Sequence, residues 1–381
     1  TPKKRARLAM QVLAARRAKR ADVPPPEISV SSRRPDQTVF PASFEQARLL
    51  FLQLADRASS AYNVPQLIQI EGALDVRILE STLTALVERH EPLRTTFNVG
   101  SDHVEQHIGE PRPVDLRIVE SPLVDGEPSS VGTDPAVLAE IGRPFDLESD
   151  LMIRAAIVRA SGKRWVLILT FHHIACDGPS IGTFCRELME IYRAKVAGQN
   201  PALPPLERQF ADYALRQRQK SEDEGFQSEM EYWVNRLQDV PTSIRLPRDR
   251  EPDPADSRWP VERTSIALPA ELTRSLQRLA SEEGVTHFMV HYAAFGLLLH
   301  RYSHAEVLIM ATPADLRGTA GFAGTFGCFT NTLLLDSRFD PQQSFRDFLI
   351  ATKDSVLAGL EHQEMPLDAL VNRLQPDRKV S

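Results

Sequence analysis

The stretch Trp165–Gly178 constrains the chain more than any other. Trp165 to Thr170 is an unbroken apolar and β-branched run bounded by charge and glycine, which predicts a buried strand. The strand runs out into His172 and His173, with Asp177 and Gly178 close behind. A buried strand fixes its last side chains, and neutral imidazole near pH 7 can take a proton. Adjacent strand residues point to opposite faces, so only one of the two histidines can address a given substrate while the other packs. The same divergence weakens a zinc reading, because metal ligands must converge. Asp177 can orient the working imidazole, or it can hold the loop through a salt bridge to an arginine. Gly178 is expected to permit a turn that other residues resist. A lone histidine on a strand is ordinarily a satisfied core residue. Two histidines, an aspartate and a glycine at one strand exit point to chemistry instead.

Composition supports a large globular chain. It has 381 residues, 42% hydrophobic and 25% charged, enough for a sizeable core and two lobes. Formal net charge is −6, unevenly spread. Residues 1–20 carry eight basic side chains and no acid, which leaves −14 for the remainder. An acidic body argues against nucleic acid as the main partner. Cys176, Cys185 and Cys328 form no metal-like pair, and the reading is a reducing, cytoplasmic setting. No apolar run reaches membrane-spanning length, and the basic N-terminus lacks the apolar core of a signal peptide.

Along the chain, residues 3–20 suit a basic helix and 21–37 a proline-broken linker, so 1–37 is set apart. Ser43 to Leu54 and Asp75 to about His90 read as helices, the second with Val76, Leu79, Leu83 and Leu86 on one face. Strands are expected at Leu67–Ile70, from Pro92 towards Phe97, at Val104–Ile108 and at Val114–Ile118. Leu151–Val158 pairs with Trp165–Phe171 as a hairpin. Ser180 is expected to cap a helix ending near Gly198. The prolines from 201 to 205 mark a lobe boundary, giving lobes over 38–200 and 201–381. Beyond it come helices over Glu207 to Gln238, Pro269–Glu283, His287–Tyr302 and Phe345–Leu360, with strands at Val261–Leu268, Glu306–Ala311 and Thr330–Leu335. The glycine-rich Gly318–Gly327 lacks the Lys-Ser/Thr of a phosphate loop and reads as a loop. Strands interleave with helices, an α/β layered architecture.

Gly178, Ser180 and Gly182 fit the G-x-S-x-G of serine hydrolases. That elbow needs its serine directly at the strand exit, whereas Ile174 to Pro179 intervene here, and Pro179 constrains the turn. An N-cap is the simpler use of Ser180.

Six stretches in order now form one pattern. His172-His173-Ile174-Ala175-Cys176-Asp177-Gly178 matches HHxxxDG. Ser43, Gln46, Arg48 and Leu49 resemble SxAQxRLW, with Leu50 for tryptophan. Arg89 to Phe97 is similar to RHExLRTxF. Phe210 to Gln217 resembles YxDYAxWQ, with Arg216 for tryptophan. Phe326 to Thr332 matches IGxFVNT, and His362 to Asp368 matches HQDVPFE. Together they resemble a condensation domain of nonribosomal peptide synthetases, over residue 40 to the end.

The resemblance implies two lobes like chloramphenicol acetyltransferase, arranged as a V-shaped pseudo-dimer with a central tunnel. It implies peptide-bond formation between a donor acyl or peptidyl thioester and the amine of an acceptor aminoacyl thioester. Both would ride on 4′-phosphopantetheine of upstream and downstream carrier domains, beside a neighbouring adenylation domain, in a monomeric chain of a larger synthetase. No intrinsic cofactor, metal, nucleic acid or membrane is implied. His173 would be the working histidine beside His172, with Asp177 structural and paired to Arg94 or Arg317. Gly178 would keep the tunnel clear, and Asn331 and Ser180 would lie along the substrate channel, although a strand-edge asparagine bonding backbone is an equal reading of Asn331. Thioester aminolysis is already downhill, so such a site chiefly aligns two tethered reactants and manages one proton. Cys176 is expected to be a buried apolar thiol. The family's final RDxSRxPL motif is lacking after Asp377, so the second lobe is expected to be truncated. A starter type that acylates with a fatty acyl donor, a non-catalytic carrier-binding module and a Ser180 hydrolase are the alternatives.

Overall fold

The apolar run from Trp165 becomes the central strand because both its faces are covered. The computed structural model of the chain describes residues 33–34, 36–101, 103–119, 132–159, 164–241, 243–249, 264–318 and 321–374. The basic helix expected over 3–20, most of the linker, the hairpin connection at 160–163 and the tail from 375 lie outside the described residues. Contacts divide the chain into two compact units, one comprising Glu27–Phe226 with Asp315–Thr330 and the other Gln227–Ala314 with Asn331–Ser381. This division puts 201–226 and 315–330 in the first unit, whereas the sequence reading set a boundary after residue 200.

The first unit runs β1 (Val39–Pro41), α1 (Phe44–Ala55), β2 (Asn63–Glu71), α2 (Val76–Arg89), a 3-10 turn (Glu91–Arg94), β3 (Thr95–Val99), β4 (Val104–Ile108), β5 (Leu116–Val119), α3 (Pro135–Ile141), β6 (Ile153–Arg159), β7 (Arg164–His172), α4 (Gly178–Val196) and α5 (Phe210–Lys220). Four strands form a sheet in the order β2-β7-β6-β5, and β1-β4-β3 form a smaller one. β7 pairs antiparallel with both neighbours, placing Phe171 opposite Val64 on one side and Ile153 on the other. Leu167, Leu169 and Phe171 pack with Leu79, Leu83 and Leu86 of α2 and Phe184 and Leu188 of α4. Val166 and Ile168 face the other way, onto Val137. A strand buried on both faces must be apolar throughout, which is why this stretch reads as a continuous run.

Three of the quoted motifs hold this unit together. Ser43 and Gln46 form the capping box that starts α1. Gln217, at the end of the α5 motif, accepts from the Phe44 amide at 2.9 Å and donates to the buried Glu45 carboxylate at 3.0 Å. Burial pushes the Glu45 carboxyl up. These bonds tie α5 into the first unit, beyond the expected boundary. In the second motif, Arg89 and the buried His90 both reach Glu187 of α4, at 3.1 and 2.6 Å.

The segment 315–330 brings Phe322 and Phe329 against Phe210 and Tyr213. Gly327 is required there, because an added Cβ would sit 2.1 Å from Cδ2 of Phe210. Overpacking of this kind typically costs about 1–3 kcal/mol. Gly327→Ala is therefore expected to lower the unfolding free energy by that amount, read as a lower midpoint in denaturant, whereas an unchanged midpoint would mean the Phe210 ring moves freely.

The second unit contains α6 (Glu224–Leu237), which begins just before it, then α7 (Ala270–Glu283), α8 (His287–Ser303), β8 (Val307–Asp315), β9 (Thr330–Arg338), α9 (Phe345–Glu361) and α10 (Leu367–Leu374). Its core joins Met289 and Tyr292 of α8 to Met310, Leu335 and Val356. The buried Trp233 donates to the His362 carbonyl at 3.0 Å. The strand expected at Val261–Leu268 is absent over its described part, 264–268, which is exposed and has no regular structure. Alternation alone makes no strand without a neighbour to pair with. No helix among the described residues is long and apolar enough to cross a membrane.

Candidate active site

The two histidines leave β7 into different surroundings. His172 is fully buried. Its Nδ1 accepts the Ile174 amide hydrogen at 3.1 Å, and its ring meets Phe145 edge-on at 5.7 Å. An accepting Nδ1 places the hydrogen of neutral imidazole on Nε2, which has no hydrogen-bond partner among the described residues. Burial, then the charges of His173 and Arg154, pull the His172 pKa down to about 3. Such a ring stays neutral and packed near pH 7; it is not a proton acceptor there.

That depression links to stability. Below about pH 6.5 the unfolded chain binds a proton on His172 that the folded chain refuses until about pH 3. Stability is therefore expected to fall as pH drops from 6.5 towards 3, with a slope contribution of up to ~1.4 kcal/mol per pH unit. His172→Asn should flatten that slope in denaturant titrations at several pH values; an unaltered slope would assign it to other groups.

His173 extends the β2 pairing by one bond, donating its amide to the Tyr62 carbonyl at 2.9 Å. The residue is partly exposed. Cys328 Sγ lies 3.6 Å from His173 Nδ1. Burial pushes the Cys328 thiol up, so it keeps its hydrogen and can donate weakly to that nitrogen. Nothing local in the sequence signals this contact, which spans 155 residues. Cys176 is fully buried, and burial raises its thiol too.

Asp177 is 2% exposed and makes three bonds. Oδ1 accepts the Ser180 amide hydrogen at 3.0 Å, so Asp177 is the N-cap of α4. The same oxygen takes Nη2 of Arg317 at 2.8 Å, and Oδ2 accepts the Phe329 amide hydrogen at 2.9 Å. Arg317, 7% exposed, also donates to the Thr325 carbonyl, to Asp315 and to Ser180 Oγ, at 3.0, 3.0 and 2.9 Å. The aspartate thus ties the loop after β7 to the segment 315–330, all within the first unit.

Several expectations change here. The cap of α4 is Asp177, not Ser180, because the helix begins at Gly178. Ser180 Oγ instead donates to the Gly327 carbonyl at 2.8 Å and accepts its amide hydrogen at 3.0 Å. A serine 1% exposed and held by Gly327 and Arg317 is unsuited to nucleophilic attack, so the hydrolase alternative fails on geometry. Arg94 does not meet Asp177; it donates to the Gly109 carbonyl at 2.5 Å. Gly178 is not among the glycines with positive φ, so no turn demands it. A Cβ there would meet no atom within 4 Å. Asn331, in the second unit, is 1% exposed, and its amide is spent on backbone. Nδ2 donates to the Gln363 and Met365 carbonyls at 2.8 and 2.7 Å, and Oδ1 accepts from Thr332. Asn331 therefore pins the stretch His362–Asp368 rather than offering its amide outward. Among the described residues no group of three or more His, Cys, Asp or Glu could hold a metal ion.

The sequence profile described as Condensation domain matches residues 36–381. The chain belongs to the condensation-domain family. These domains are parts of nonribosomal peptide synthetases, and the six motifs fall inside the matched range. This condensation domain is 36% identical over 357 residues to chondramide synthase cmdD of Chondromyces crocatus, covering 91% of the chain. It spans only 9% of that relative's length. Its fold is similar to the X-domain from teicoplanin biosynthesis, with a TM-score of 0.74 and 26% identity over 90% of this chain and 74% of the other. It is also similar to holo-AB3403, a four-domain nonribosomal peptide synthetase, with a TM-score of 0.76 and 24% identity over 92% of this chain and 26% of the other. The α/β layered fold expected from the sequence is the condensation-domain fold.

Proposed function

We propose that this condensation domain forms an amide bond between a donor acyl or peptidyl thioester and the amine of an acceptor aminoacyl thioester. Both would be delivered on phosphopantetheine by carrier domains of one cytoplasmic synthetase, beside an adenylation domain. The acceptor nitrogen attacks the thioester carbonyl carbon, the C–N bond forms and the C–S bond breaks. The amine loses one proton, and the departing sulfur of the donor arm takes one up. His173 would manage that proton, either removing it or holding the amine in line for attack.

One observation carries this reading. Of the paired histidines at the strand exit, His173 is partly exposed, while His172 is buried with a pKa of about 3. The open space at Gly178 also suits a site that must admit a substrate arm. An unprotonated α-amino group, titrating near pH 8, needs only modest help from a base.

The test uses the synthetase carrying this domain, with donor and acceptor carriers separately loaded. Intact-protein mass spectrometry should show the acceptor carrier gaining the mass of the donor acyl group. Release of free donor acid with no gain on the acceptor would reject amide formation. Comparing aminoacyl with fatty acyl donors in the same assay separates an elongating domain from a starter domain.

A further inference from the structure

A cavity of about 340 Å³ opens in the first unit, beside the starts of β5 and β6, and neither histidine lines it. Four guanidiniums line it: Arg112, Arg117, Arg143 and Arg154. Two aspartates, Asp115 and Asp150, stand among them. Nothing in the proposed chemistry uses this cluster.

The arginines are unevenly matched. Arg117 and Arg143 share one carboxylate, Glu140, at 2.8 and 3.5 Å. Among the described residues Arg112 bonds only a carbonyl, that of Ser149, at 2.6 Å. Arg154 bonds the carbonyls of Pro144 and Arg143, stacks over Phe145 at 3.9 Å, and leaves its buried Nε without a hydrogen-bond partner among the described residues. Burial and then the charge of Arg143 pull the Arg154 guanidinium down to about 10, against the opposing pull of Glu140 and Asp150. Four guanidiniums stand among three carboxylates, Asp115, Asp150 and Glu140, so one positive charge is left over for an anion. Guanidinium forks suit phosphate oxygens by geometry as well as by charge. Val114, Ile153 and Ala155 supply apolar wall, and the volume exceeds what a bare phosphate needs.

We infer that the cavity beside β5 and β6 binds a phosphate monoester bearing a small apolar body, with Arg112 and Arg117 at its mouth and Arg154 at its base. Recognition would divide between guanidinium forks on the phosphate and the apolar wall on the ester group. The inference stands independently of the amide-forming reading.

The probes are inorganic phosphate and phenyl phosphate, titrated calorimetrically into the full chain at low ionic strength. Phenyl phosphate should bind saturably and more tightly than inorganic phosphate. Arg112→Gln, whose side chain is exposed and holds one backbone bond, should weaken it at least tenfold. Asp115→Asn should tighten it several-fold, a gain that no folding defect produces. Arg274→Gln, exposed on α7, should change nothing. Absence of saturable binding would overturn the assignment, as would equal losses from Arg112→Gln and Arg274→Gln, which mean diffuse charge attraction. Binding of inorganic phosphate as tight as phenyl phosphate would overturn the monoester assignment.

Discussion

Replacing Asp177 with alanine should destabilise the first unit by about 3–5 kcal/mol, the usual cost of removing one partner from a buried ion pair. Arg317 would be left 7% exposed with no carboxylate at its Nη2. The loss has two further parts. The Ser180 amide at the start of α4 loses its cap, typically worth ~1 kcal/mol, and the Phe329 amide loses its acceptor. A negative cap also favours the positive end of the helix dipole, which alanine cannot supply. Arg317→Ala should be costly too, since it strands the Asp177 carboxylate and loosens Ser180. The double variant should cost less than the two single losses added together, because the second change removes a side chain whose buried partner is already gone. Asp177→Asn, able to keep the cap but not the charge, should fall between wild type and alanine. Denaturant midpoints measure all four. A loss below about 1 kcal/mol for Asp177→Ala would show that the pair is not buried as described.

The central strand and the main helices were legible because their signals are local and periodic. Leu79, Leu83 and Leu86 fall on one face of α2 at helical spacing, and β7 is apolar throughout because both its faces are covered. The start of α4 was misread by three residues, since Asp177 and Ser180 are both good caps and only the chain path decides between them. The strand drawn at Val261–Leu268 followed alternation, but its described residues lie exposed with no pairing partner. Contacts between distant parts of the chain left no local mark. Cys328 meets His173 across 155 residues, whereas Arg317, which meets Asp177 across 140, was one of the two partners that the family resemblance implied. The motifs gave the order of these parts without their bonds. His90 and Gln217 prove to be ties to Glu187 and Glu45, a role that spacing does not reveal. Asn331 likewise turns out to secure backbone, through the Gln363 and Met365 carbonyls.

One imidazole, His173, carries the proposed chemistry, and its neighbour His172 packs. His173 is partly exposed, and among the described residues its ring hydrogen-bonds only Cys328, at 3.6 Å, so His173→Ala should fold as stably as wild type. Loss of a positioned proton-handling group typically costs about 10²–10⁴-fold in rate. Uncatalysed aminolysis of the thioester would supply what remains, because the reaction is downhill and the carriers still deliver both reactants. His172→Ala should behave in the opposite manner: removing a fully buried ring opens a cavity beside Phe145 and lowers stability. The decisive measurement is the single-turnover rate of acyl transfer between two loaded carriers with folded His173→Ala, its thermal midpoint taken alongside. A fall of at least ~100-fold with an unshifted midpoint is the predicted result. Transfer at the wild-type rate would contradict the account.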